Sequence, residues 1–313
     1  MRAKAGRALE RGIPWLAPLG LLMGSWVRVD RELRAAMGTR VLAIGGATLG
    51  GSGRSALALS CAEYMYKGGA RVAVVGHAYR ARPGRARVVS PLDPLELVGD
   101  EARMLARALG PRAKVVVAPR RQDALLLAES LADVVILDGV LQTSPARATL
   151  SLLAVRDESP WGSSRVLPAG DLRAPIAALT AACDHVVRVR IALGEEAARL
   201  AGARVGLVSA IARPERLVLA LARAGLQVVS HVDMGDHGPL HEASVRRAIA
   251  RAEPVAAWLA TPKCTEHVLP LEEFLASRRT PLVRLEGRAA LPDHLISALN
   301  GLLDVAKAPP TSS

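Results

Sequence analysis

The chain is poor in aromatic side chains, in cysteine and in long apolar runs, and each shortage narrows what it can be. Phe, Tyr and Trp make up 3% of the 313 residues, with a single Phe and three Tyr among them. A single-stranded nucleic-acid platform needs aromatic faces interleaved with cations for bases to stack on, so nucleic acid is not an expected partner. The three cysteines, Cys61, Cys183 and Cys264, stand far apart and form no C-x-x-C pair. Neither a disulfide framework nor a zinc site follows from them, and a reducing, cytoplasmic setting is the simplest expectation. The apolar stretch from Ile13 to Val27 is shorter than the roughly 20 residues that a bilayer-spanning helix requires. Acidic residues are also outnumbered, 29 against 41 Lys and Arg, for a formal charge of +12. The excess fits an anionic partner such as a nucleotide or an acidic membrane surface, and equally a general bias, since Arg and Ala abound from end to end.

What remains is a chain that is half apolar and long enough for one large domain or two ordinary ones, with a core built from Ala, Val and Leu. Its organising stretch is Val41-Leu42-Ala43-Ile44-Gly45-Gly46-Ala47-Thr48-Leu49-Gly50-Gly51-Ser52-Gly53-Arg54-Ser55. Apolar residues read as a buried strand, a glycine-dense run follows, and a helical pattern begins at Ser55. Strand, glycine loop and helix start together make a phosphate cradle, because glycine lets backbone N–H groups converge on an anion at the positive end of a helix. Against G-x-x-x-x-G-K-[ST], Thr48 stands at the first Gly and Arg54 at the Lys. Read alone, the stretch is also compatible with a glycine-rich turn that holds no ligand.

Beyond the loop, apolar runs and helical patterns alternate. Strands are expected at Arg71–Gly76, Val115–Ala118, Val134–Asp138 and Leu152–Val155, with helices over Ala56–Lys67, Leu95–Leu109 and Arg121–Ser130. Such alternation predicts a mostly parallel sheet covered on both faces, with the site at the carboxyl ends of the strands. Asp138 closes one of those strands, where a carboxylate either reaches a metal or caps the next turn. The alternation continues from His185 without a second phosphate loop. The expectation is therefore an α/β protein with a P-loop NTPase-like core over 39–185 and a smaller C-terminal α/β portion over 186–307. Residues 1–38 are expected to form an N-terminal apolar helix on a membrane surface, and 308–313 a disordered tail. Basic residues flank the N-terminal run and Trp15 and Trp26 lie near its ends, as in a monotopic helix; an apolar helix docked on the protein's own surface is the rival reading.

In their order along the chain, these pieces resemble the tetraacyldisaccharide 4′-kinase family. The family's phosphate loop has the form G-N-x-T-x-G-G-T-G-K-T, followed from Gly45 to Ser55 and including Thr48. Its S-R-G-Y is met by Gly76-His77-Ala78-Tyr79, its G-D-E-P by Gly99-Asp100-Glu101-Ala102, and its L-P-x-G-x-L-R-E-P by Leu167 to Pro175. A late D-H element corresponds to Asp236-His237, and T-E-K-D to Thr261-Pro262-Lys263-Cys264. The resemblance implies an ATP- and Mg2+-dependent kinase acting on the 4′-hydroxyl of a disaccharide glycolipid, a lipid A precursor, at the cytoplasmic face of the inner membrane. It implies that Thr48, Gly50, Gly51, Ser52, Gly53, Arg54 and Ser55 cradle the phosphates. Ser55 and Asp138, with Glu101, would serve the metal, while Asp100 assisted by His237 would take the proton of the attacking hydroxyl. Arg80 to Arg87 would meet the anionic head of the lipid.

The departures fall in the chemistry. Lys is replaced by Arg54, and in the family's D-D-G-x-Q-H the second Asp is Gly139, the Gly is Val140 and the His is Thr143, while Asp138 and Gln142 remain. A guanidinium is a planar fork, bulkier than an ammonium. Two further readings follow: a catalytically impaired homologue binding nucleotide or glycolipid as a membrane-associated regulator, and a general P-loop ATPase.

Overall fold

The computed structural model describes residues 40–78, 81–141, 148–192, 194–209, 214–234, 242–261, 273–285 and 287–307, and isolated positions elsewhere (9, 12–16, 18–19, 33–34, 143–144 and 211). Its chain divides into two compact units, one of residues 4–191 with 288–313 and one of 192–287 with the first three residues.

In the larger unit the elements run β1 (Arg40–Gly46), α1 (Arg54–Lys67), β2 (Val72–Val75), β3 (Arg87–Val88), α2 (Asp100–Leu109), β4 (Lys114–Val117), α3 (Arg121–Leu131), β5 (Val134–Asp138), β6 (Leu150–Arg156), α4 (Ile176–Ala181) and β7 (His185–Val189). The seven strands form one sheet in the order β3-β4-β2-β5-β1-β6-β7, parallel except for β3, which runs against β4 at the edge. Strand residues alternate between faces, as a two-residue period requires. Leu42, Ile44, Val72, Val74, Val134 and Ile136 pack with α1 and α2, while Val41, Ala43, Ala73, Val75, Val135 and Leu137 pack with Ala124, Leu125 and Ala128 of α3. With both faces covered, the strands are almost continuously apolar, as the sequence pattern indicates.

The smaller unit carries β8 (Arg204–Ser209), α5 (Pro214–Arg223), β9 (Gln227–Asp233), α6 (Glu242–Arg251), β10 (Ala257–Ala260) and β11 (Leu282–Arg284). Its four strands are parallel in the order β9-β8-β10-β11. One face packs on Val245 and Ile249 of α6, the other on Leu221 of α5.

The units divide differently from the expected spans. Residues 186–189 belong to the first unit, because β7 pairs with β6 along His185–Val189. The last helix, α7 (Asp293–Lys307), also returns there, with Leu295, Leu299, Leu302 and Leu303 buried against the first core. Its approach is fixed by Arg288, whose Nε and Nη2 donate to the two oxygens of Glu63 at 2.9 Å each, and by the Ala289 N–H, which donates to Ser60 Oγ at 2.9 Å. Partial burial opposes ionisation of Glu63, but the Arg288 hydrogen bonds and the nearby cations prevail and hold its carboxyl below the ordinary value.

The single helix expected over Leu95–Leu109 is two pieces, Leu95–Val98 and α2. Gly99, at φ 85° and ψ 154°, breaks the path and sets Asp100 as the first residue of the second piece. Of the residues 1–38 expected as an apolar helix, the described parts are helical positions at 9 and 18–19, a 3-10 turn at Pro14–Leu16 and, where a helix was expected, a short strand at Leu33–Arg34 that pairs in parallel with Thr143–Ser144; the remainder of that expectation, like the disordered tail over 308–313, lies outside the described residues. Among the described residues no helix is long and apolar enough to cross a membrane.

Candidate functional site

The site begins where β1 ends. Gly50, Gly51 and Gly53 have φ of 75°, 68° and 79°, a left-handed run that folds the loop back over the start of α1. Gly53 is the residue that caps α1, and its carbonyl accepts the Leu57 N–H at 3.0 Å. Thr48 is 1% exposed and donates its hydroxyl to the Gly50 carbonyl at 3.3 Å, so this deviation from the common loop pattern braces the turn from inside.

A second segment clamps the loop. Around Leu167–Pro175, the Asp171 carbonyl accepts the Leu49 N–H at 2.8 Å, the Arg173 N–H donates to the Ala47 carbonyl at 3.0 Å, and Arg173 Nε donates to the Thr48 carbonyl at 3.2 Å. Beneath it, Asp171 is wholly buried and accepts from Arg156 Nη2 at 2.8 Å, from the Ser163 N–H at 2.8 Å and from Ser163 Oγ at 2.9 Å. The described N-terminal turn joins the same segment, its Ile13 N–H donating to the Ala169 carbonyl at 2.7 Å.

Three expected groups meet at the first turn of α1. The Ser55 hydroxyl lies 3.3 Å from Asp138 Oδ2 and 3.4 Å from Glu101 Oε1. Asp138 is 1% exposed, and among the described residues its Oδ1 has no hydrogen-bond partner, with the Arg54 guanidinium 3.7 Å away as an ion pair. A hydroxyl and two carboxylates around a buried acceptor left open suit a hard divalent cation that completes its shell with water and phosphate oxygens. Asp100 sits beside Glu101, 9% exposed, its Oδ1 accepting the Glu101 N–H at 2.8 Å. His237 and Gln142 lie outside the described residues, as do Asp236, Tyr79, Arg80 and the Pro262-Lys263-Cys264 part of the late motif.

Several groups at this site were not singled out by the sequence reading. Arg121, at the start of α3, donates Nη2 to the Asp138 carbonyl and so fixes the end of β5. His77 follows β2. Partial desolvation of its ring and the positive charges of Arg121 and Arg54 lower its pKa below the ordinary 6.5, against the opposing pull of Glu101 and Asp138. Asp171 and Arg173 lie inside the Leu167–Pro175 motif, so the signal for the clamp is in the sequence even though its target is not.

Comparison with known proteins places the chain. A sequence model described as tetraacyldisaccharide-1-P 4′-kinase matches residues 13–195. The tetraacyldisaccharide 4′-kinase of Methylobacterium radiotolerans is 34% identical over 295 residues, covering 86% of this chain and 89% of that protein. The tetraacyldisaccharide 4′-kinase of Rhodospirillum rubrum is 30% identical over 269 residues, covering 76% of this chain and 79% of the other. Among solved structures, the apo-form LpxK of Aquifex aeolicus in complex with ATP superposes with a TM-score of 0.67 at 18% identity, over 93% of this chain and 99% of that one; at that identity the likeness is one of fold.

Proposed function

The chain belongs to the tetraacyldisaccharide 4′-kinase family, and from that membership we infer that it transfers the γ-phosphoryl group of ATP to the 4′-hydroxyl of a tetraacyldisaccharide 1-phosphate, the lipid A precursor. The observation that carries the reading is the Ser55 hydroxyl, set by the glycine loop at the head of α1 between Asp138 and Glu101.

The backbone N–H groups of Gly50 to Ser55 would hold the nucleotide's phosphates, with the dipole of α1 behind them. The clamp from Asp171 and Arg173 keeps that loop in one shape before substrate arrives, so its N–H groups need little reorganisation on binding. Ser55, Asp138 and Glu101 would hold Mg2+, which supplies positive charge against the phosphate oxygens as the transferring group loosens. Asp100 would accept the proton of the 4′-hydroxyl with His237 orienting it, a pairing that rests on the family pattern. The apolar N-terminal segment would meet the membrane that carries the glycolipid, at its cytoplasmic face. In support, the apolar side chains of Trp15 and Leu19 are 77% and 50% exposed.

The test is direct. Purified full-length protein, incubated with γ-labelled ATP, Mg2+ and the tetraacyldisaccharide 1-phosphate in mixed micelles, should yield label on the 4′ position. Protein that binds both substrates and yields none would leave the regulator reading in its place.

A further inference from the structure

The Arg54 side chain runs through a slot that two glycines leave open. Gly46 ends β1, and Gly139 follows β5, the neighbouring strand whose Asp138 is in register with Ile44. A Cβ on Gly46 would meet Ser52 Oγ first and come within 2.7 Å of Arg54 Cδ, and a Cβ on Gly139 would fall on Arg54 Nη1. Gly139 also has φ 93°, with its N–H donated to the Ile44 carbonyl at 2.7 Å, so the backbone there is held in the left-handed region. The guanidinium emerges 3.7 Å from Oδ1 of Asp138, the oxygen that has no hydrogen-bond partner among the described residues. The family pattern has Asn, Lys and Asp where this chain has Gly46, Arg54 and Gly139. Three departures scattered in sequence therefore meet in one place.

We propose that Gly46, Arg54 and Gly139 form one coupled device in which the guanidinium, seated between the two glycines, holds Asp138 as a counter-ion and must be displaced before that carboxylate can ligate a divalent cation. The proposal rests on the nucleotide-site reading above. The physical reason is charge balance at a buried acid. Asp138 is 1% exposed and needs a cation beside it at all times, and a planar guanidinium long enough to reach it supplies one when no metal is bound. Shortening Arg54, or filling the slot, removes the competitor.

The test uses Mn2+ as the probe and no nucleotide, with free Mn2+ followed by electron paramagnetic resonance on the full chain. R54A should bind Mn2+ about tenfold more tightly than the unmodified protein, as one part-buried ion pair no longer has to be broken. G139A should do the same by a different route, expelling the guanidinium instead of deleting it. R54A/G139A should show no gain beyond either single variant, and Asp138→Asn in the R54A background should abolish the gain. Circular dichroism checks that G139A is folded; if it is not, R54A alone decides. Unchanged Mn2+ affinity in R54A overturns the proposal, and a gain in R54A without one in a folded G139A overturns the part given to Gly139. Phosphoryl transfer by the unmodified protein, measured separately, tells failure of this proposal from failure of the kinase reading.

Discussion

Asp171→Ala isolates the clamp that shapes the phosphate loop. Asp171 is wholly buried and Arg156 is 8% exposed, and they are joined at 2.8 Å with two further hydrogen bonds from Ser163. Removing the carboxylate takes a buried counter-ion from a guanidinium in a low-dielectric interior, which costs about 3–5 kcal/mol for a pair this buried. At about 2–4 °C per kcal/mol for a unit of this size, the midpoint of thermal unfolding should fall by roughly 10 °C in scanning calorimetry. Adding Arg156→Met to Asp171→Ala should recover part of the loss, since the buried positive charge is then gone. Asp171→Ala keeps the backbone carbonyl that holds the Leu49 N–H but removes the side-chain bonds that anchor it, so the single variant should also raise the KM for ATP more than it lowers kcat. A fall of under about 3 °C, or a double variant less stable than the single, would refute the argument that this ion pair carries the clamp.

Gly139→Asp alone should lose most activity, because in a left-handed backbone its carboxylate, unlike an alanine methyl, would pair with the Arg54 guanidinium and keep it at the site, whereas Arg54→Lys with Gly139→Asp should restore a measurable share in the same assay. Cys61 is buried and its thiol is pushed up to about 12, so it should resist a disulfide reagent at pH 8 in the native protein and react only after denaturation, as peptide mapping would reveal. His77 should titrate below 6.5 by NMR. Since the unfolded chain then binds the proton more readily, stability should fall as pH drops below about 6.5, and His77→Gln should flatten that slope in urea titrations.

Local pattern carried most of the larger unit. The strand before the loop, the helix after it and the carboxylate ending β5 all follow from apolar runs, glycine placement and helical spacing within about 20 residues. Gly99 was the local exception, because a glycine early in a helical pattern reads as tolerable until its φ is known. What the pattern could not carry was contact between distant segments. The clamp joins Leu49 to Asp171, the Arg54 slot needs Gly46 and Gly139 together, and α7 returns to the first core through Arg288 and Glu63. Each depends on tertiary packing. The motif containing Asp171 and Arg173 was visible in the sequence, but its role as the outer wall of the phosphate loop emerges only from the backbone hydrogen bonds.

The most direct measurement is the fate of the γ-phosphoryl group with the unmodified protein and with Ser55→Ala. The account predicts that the unmodified protein phosphorylates the 4′-hydroxyl of the tetraacyldisaccharide 1-phosphate with ATP and Mg2+. Ser55→Ala, losing the hydroxyl between Asp138 and Glu101, should lower kcat by at least tenfold while remaining folded. Absence of 4′-phosphorylated product from folded unmodified protein, or full activity in Ser55→Ala, would contradict it.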